Sequence, residues 1–404
     1  MIIKTNILNP IDITECELRK EIYITIEEGK ISSISPTIEL SKDFVDYSNL
    51  LCLPGMIDSH THLSQWHIRG KYRNNLLDWL NEIVFPEEKK SFDPLYAEQT
   101  ATDFFDKLIK SGTTTAGVYV SASQTATDIA FQKGNESGMR LVMGQVMMDM
   151  NSPEYLCQKT DDSLREAEEL CLKWNKKTEL LHYAFTPRFA ITCSRDLMSE
   201  VGTLAEKNKV RIQTHLSENK AEIEQVLALF PECSSYTDIY NKYKILSPLS
   251  IFGHAIHLSD TELGLLRDSG STIAHCPDSN FFLNSGQFPL GRIKKAGIDI
   301  GLASDIAAGT TPDMFYHQRM MLYRQSAGVL KLPELLYTAT LGSAKALRLD
   351  SETGSIEIGK SADLIFIDSK ALDSEDVDSA ISELIFLTPI PKIEKVFIAG
   401  KQLL

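Results

Sequence analysis

The sequence predicts an α/β fold: a (β/α)8 TIM-like barrel with a small β-sandwich domain built from both chain termini. Three observations predict it. The middle of the chain alternates short apolar runs with longer stretches of helical period, and there are eight such runs. Both ends of the chain instead read as strands and turns. Domain limits follow as residues 1–50 with 356–404 for the β-domain and 51–355 for the barrel.

Taken in order, the N-terminal strands are MIIKTNIL and EIYITIEEGKISSIS, the second turning at Gly29. The barrel runs begin with LLCLPGMID (50–58), TTTAGVYV (113–120), RLVMGQVMM (140–148) and LLHYAFTP (180–187). They continue with VRIQTHL (210–216), LSIFGHAIH (249–257), STIAHCP (271–277) and IDIGLAS (298–304). Helices are expected between them, for example AEQTATDFFDKLIKSG and SDTELGLLRDSG. In the second, Ser259 is placed to cap the start and Gly270 to end it. GSIEIGKSADLIFID and KIEKVFIAGKQLL close the chain as strands. Alternation alone also allows a doubly wound open sheet.

Composition excludes several classes of function. Hydrophobic residues make up 43% of 404 and charged residues 24%, ordinary for a globular chain able to bury a core. A net charge of −14 argues against a nucleic-acid groove or an anionic membrane surface as partner. The N-terminus, interrupted by Pro10, does not read as a signal peptide, and no apolar run reaches the length of a membrane span. Seven cysteines without C-x-x-C spacing point to a reducing, cytoplasmic location rather than a disulfide framework.

The ends of the apolar runs hold Asp58, His60, His62, Arg188, His215, Glu218, His254 and Asp305. The C-terminal ends of barrel strands are where such folds carry their chemistry. His60 and His62, two apart on a strand, face the same way and can reach one ion. Neutral imidazole suits zinc or iron. His215 alone reads as a strand-end histidine, but Glu218 three residues on can stand over a bound water and carry its proton. Asp305 reads as a fourth ligand or as a helix cap, and His254 as a group that hydrogen-bonds water or substrate. Binuclear barrel hydrolases commonly place a bridging lysine on the fourth strand; that run here has Arg188 and no lysine, which favours one metal. His275 with Cys276 is read as architecture, and His67, His182, His257 and His317 as structural or exposed. Trp66, Trp79, Met147, Met148 and Met150 are read as packing, with the two tryptophans able to wall a pocket.

PGMIDSHTHLSQ, TPRF, HLSEN, GHAIHLS, AHCPDSN and GLASD, in this order, resemble the amidohydrolase superfamily. LLDWL with FP, FTPRFAITCS and HLSEN narrow the resemblance to its guanine deaminase family. The resemblance covers the whole chain. It implies His60, His62, His215 and Asp305 as ligands of one divalent metal, zinc or iron, with Glu218 as proton shuttle and His254 beside the water. It implies Gln65, Arg188 and Phe189 as the residues that hold a purine: the amide and the guanidinium fork suit an amide-like ring edge. The implied reaction is hydrolytic deamination by metal-activated hydroxide, with Asp305 or Glu218 protonating the departing amine, in a homodimer. Alternatives are the same chemistry on 8-oxoguanine, pterin, cytosine, triazine or adenosine-type rings, or a non-catalytic scaffold. The family pattern is departed from at IAAGTTPDMF, less rich in glycine, and at Asp278, where asparagine is common. Both are expected on loops near the mouth.

Overall fold

Gly55 divides the first long apolar run into two strands that belong to different sheets. Val45–Pro54 lies in the sheet made by the termini, and Met56–His62 is the first barrel strand. This corrects the reading of 50–58 as one strand. A side chain at residue 55 would overlap Thr114, so glycine lets the chain pass tightly from one sheet to the other. The computed structural model describes residues 1–39, 43–387 and 392–404; positions 40–42 and 388–391 of the expected β-domain lie outside the described residues.

Eight parallel strands follow in sequence order: Met56–His62, Thr113–Tyr119, Arg140–Gly144, Leu181–Pro187, Arg211–Leu216, Ser250–His254, Thr272–His275 and Ile300–Leu302. A two-residue strand, Val146–Met147, adds beside the fourth. The barrel closes where Asp305 N–H donates to His60 O (2.9 Å) and His62 N–H donates to Ile306 O (3.0 Å). That closure decides between the barrel and the open sheet. Ile57, Val142, Ala184, Ile251, Ala274 and Ala303 fill its interior, and Leu347 and Leu349 from the C-terminal helical segment join the same cluster.

The intervening helices form where their caps predict. Ser259 Oγ accepts from Glu262 N–H while the Glu262 carboxylate accepts from Ser259 N–H, and the helix Asp260–Ser269 ends at Gly270 with φ 69°. Pro94–Lys110 starts behind the Asp93 cap.

Residues 2–54 and 364–402 share one mixed sheet of seven strands among the described residues. Alternation gives it two apolar faces. Leu51, Leu53, Ile365, Ile367, Val396 and Ile398 pack with the barrel's cluster, while Ile24, Leu50, Cys52, Leu364, Phe366 and Phe397 form a separate core. The sheet curls back on itself: a Cβ at Gly29, in the hairpin at one edge, would lie 2.7 Å from Ala399 O at the other edge. The layers expected of a sandwich are thus two parts of one continuous ladder.

Candidate active site

Barrel geometry brings five distant side chains to one point. His60 and His62, on alternate positions of the first strand, both aim Nε2 at Asp305 Oδ1, each at 3.3 Å. His215 Nε2 lies 3.2 Å from His62 Nε2. The metal-binding atoms of His60, His215, His254 and Asp305 all lie within 4.8 Å of one another. Gly253 makes this possible: a Cβ there would sit 2.9 Å from His60 Cε1. His254 (φ 66°) and Asp305 (φ 50°) hold left-handed backbone, which costs roughly 1–2 kcal/mol each and turns both side chains inward. Asp58 braces the first strand to the last by accepting from Ser304 N–H (2.9 Å) and Ser304 Oγ. Burial pushes its carboxyl up to about 6, against those bonds.

The cluster fits a metal. Burial lowers the His60 pKa to about 4 and that of His215 well below its usual value, so both rings are neutral, the form that ligates. The carbonyl of Arg188 accepts from His215 Nδ1 at 2.7 Å, which fixes the tautomer and leaves Nε2 free to face the cluster. His60 Nε2 is buried and makes no hydrogen bond, although Asp305 Oδ1 is near. Burial alone would raise the Asp305 pKa, but His254, His60 and His62 hold it well below the carboxylate range. Imidazoles together with one carboxylate are a donor set zinc accepts.

His254 differs from the other three histidines. Burial would lower its pKa, yet the facing carboxylates, Glu218 foremost, raise it well above the usual value. Its Nδ1–H donates to Asn280 Oδ1 at 2.9 Å, and Nε2 lies 3.5 Å from Glu218 Oε2 and 3.7 Å from Asp305 Oδ2. A ring protonated on both nitrogens cannot ligate. Glu218 sits just beyond the fifth strand, 4% exposed, its pKa raised by burial. Ser285 Oγ donates to its Oε1 (2.8 Å), and its own N–H is held by Glu222 Oε2 (2.9 Å) at the start of the next helix.

Beside the cluster opens a pocket lined by Gln65, Arg188, Phe189, Leu76, Trp79 and Leu283 among others. Gln65, Arg188 and Phe189 are thus on one cavity wall with His62, His215 and Glu218. Behind that wall lies Glu88, which accepts from Arg188 Nη1 (2.8 and 2.7 Å) and from Gln65 Nε2 (3.0 Å).

Comparison with known proteins decides the family. The profile of the Amidohydrolase family matches residues 51–403. The chain belongs to the amidohydrolase family. It is therefore a metal-dependent hydrolase acting on C–N bonds. Guanine deaminase of Escherichia coli (strain K12) is 35% identical over 356 residues, 87% of this chain and 79% of the relative. Guanine deaminase of Dictyostelium discoideum is 30% identical over 99% of this chain and 97% of its own. The structure of guanine deaminase from C. acetobutylicum, with guanine bound in its active site, superposes with a TM-score of 0.94 at 31% identity, covering 99% of each chain.

Set within this family, the remaining predicted residues divide clearly. Trp79 lines the pocket, whereas Trp66 packs under the Arg69 guanidinium. His275 lies at the end of the seventh strand, stacked on Phe288 with ring centroids 4.0 Å apart. His317 is buried and hydrogen-bonds Thr311 O; His67 is exposed. Asp278 is on the short helix Pro277–Phe282 rather than on a loop. Its Oδ2 accepts from Thr310 N–H and Oγ1 (2.8 and 2.7 Å), tying down the segment after Asp305. Sequence reasoning missed Glu88, Asn280 and Ser285. A signal existed only for Asn280, inside the AHCPDSN motif; Glu88 and Ser285 reach the site from excursions whose path no local pattern reveals.

Proposed function

We propose that the protein converts guanine and water to xanthine and ammonia. The observation that carries the reading is the shared cavity: Gln65 and Arg188 wall the same pocket into which Glu218 and the histidine–aspartate cluster face. The guanine deaminases it resembles across nearly the whole chain support the substrate. His60, His62, His215 and Asp305 are assigned as ligands of one divalent ion, zinc before iron, because both first-strand imidazoles aim Nε2 at Asp305 Oδ1 whereas His254 Nε2 faces Glu218 Oε2 and Asp305 Oδ2.

When bound, such an ion supplies a water whose pKa falls to near 7. Glu218 takes the water's proton, its raised pKa matching it to that task. It then delivers the proton to the ring nitrogen beside the carbon under attack, and aromaticity is lost. His254, oriented by Asn280, donates from Nε2 toward the space between Glu218 and Asp305, where negative charge develops. Glu218, or Asp305 from the other side, then takes the remaining proton of the added hydroxyl and passes it to the departing amine, so ammonia leaves as the ring regains its carbonyl form. Gln65 and Arg188 offer donors to a ring carbonyl oxygen, and the Phe189 ring covers an aromatic face.

A cytoplasmic homodimer serving guanine catabolism completes the proposal. Seven free thiols accord with a reducing compartment, and sedimentation tests the dimer. The function is tested by following xanthine formation during metal removal and return. Chelation should abolish turnover, and about one equivalent of zinc per chain should restore it. Undiminished activity in thoroughly metal-free protein would refute the assignment.

A further inference from the structure

Three residues at the pocket wall form a closed polar unit. Glu88, Arg188 and Gln65 are each no more than 3% exposed. Glu88 lies on the helix Phe85–Lys90, outside the barrel, and is not part of the pocket lining. Its turn is fixed from behind, where Ser91 Oγ donates to Glu88 O (2.6 Å) and meets Ser121 Oγ at the same distance. From that position its carboxylate does two things. It takes up Nη1 of Arg188, while Nε and Nη2 make no hydrogen bond among the described residues. It also takes one hydrogen of Gln65 Nε2, while Gln65 Oε1 accepts from Ala307 N–H at 3.2 Å.

The second contact sets the amide's direction. A flipped Gln65 would turn its oxygen toward a carboxylate and its NH2 toward an N–H donor, losing two hydrogen bonds and creating two like-polarity contacts. The first contact pairs a buried guanidinium, which without a partner would be an uncompensated buried charge. The Phe85 ring, 5.2 Å from Arg188 Cζ, adds to the same restraint.

We infer that Glu88 is a positioning residue for substrate selectivity: it holds Arg188 and Gln65 as a fixed pair of donors that favours a purine bearing a ring carbonyl over the same ring without one. The inference rests on the functional reading above. Glu88 does not touch the ring; it acts through the two side chains that do.

The test compares kcat and KM for guanine and for 2-aminopurine, which keeps the reacting amino group and lacks the carbonyl. Wild type, Glu88→Gln and Glu88→Asp are measured as zinc-loaded proteins. Glu88→Gln should lower kcat/KM for guanine roughly ten- to hundred-fold, mainly through KM, with 2-aminopurine changed by less than about threefold. Glu88→Asp, which keeps the charge, should recover part of the preference. A proportional loss on both substrates, or an unchanged ratio, would overturn the inference while leaving the function standing. A wild type that does not turn over guanine would overturn both. Should Glu88→Gln fold poorly, Glu88→Ala at full zinc content takes its place, and an unchanged ratio of the two substrates in it counts against the role.

Discussion

A carboxylate shut away from water binds a proton more readily than an exposed one, and burial makes Glu218 such a group although His254 and Ser285 act against it. Its replacement by glutamine preserves shape and removes the group's ability to take up and pass on a proton. Glu218→Gln should keep its metal, since Glu218 is not assigned as a ligand, and lose roughly 10²–10⁴-fold in turnover. Metal content alongside steady-state rates checks this, and near-wild-type turnover would remove Glu218 from the mechanism. At this scale much was legible. His60, His62, His215, Glu218, His254 and Asp305 each end an apolar run or closely follow one, and the barrel makes such ends neighbours. The partners that set their protonation were not. Asn280 and Ser285 sit 26 and 67 residues from the side chains they orient, and nothing local marks the pairing.

Among elements, the short helix Pro277–Phe282 and the segment after the eighth strand act together. Asp278 accepts from Thr310 twice and from Tyr316 OH at 3.2 Å, so one side chain ties residues 306–316 to the barrel mouth. Asp278→Ala should cost about 1–3 kcal/mol of stability and raise KM for guanine, because Ala307 and Ala308 of that segment contact Gln65 or line the pocket. Asp278→Asn keeps an acceptor for Thr310 and should stay close to wild type. Urea unfolding and steady-state kinetics measure both, and a harmless alanine would show that the segment is held by other means. The departure from the family's asparagine is thus read as a conservative one. Strand periods located the barrel elements well, but the division at Gly55 was missed although Pro54-Gly55 marks it, because the apolar run continues across it; the need for glycine there comes from Thr114 on a neighbouring strand.

Across the whole molecule, the face of the barrel opposite the site carries a different titration. His182, on the fourth strand, is 5% exposed and its Nε2 has no hydrogen-bond partner. Burial first, then the charges of Arg211, Arg140 and Lys176, lower its pKa from 6.5 to about 3, with Glu352 3.9 Å away on the same side. The folded state thus holds this ring neutral, while the unfolded chain protonates it below pH 6.5. Its contribution is complete above that value and is lost as pH falls toward 3, to the extent of about 5 kcal/mol. His182→Gln, which cannot titrate, should flatten the fall in unfolding free energy between pH 6.5 and 4; an identical slope in the variant would assign acid lability elsewhere. The barrel and the terminal sheet were both legible as architecture, whereas the curl that joins the sheet's two edges at Gly29 and Ala399 depends on contacts far apart in sequence. The central claim, that this molecule is built to deaminate guanine, meets its most direct test in ammonia release by the zinc-loaded protein from guanine, 8-oxoguanine, pterin and cytosine. Guanine should be turned over with the highest kcat/KM of the four; no release from guanine alongside efficient release from another ring would contradict the claim.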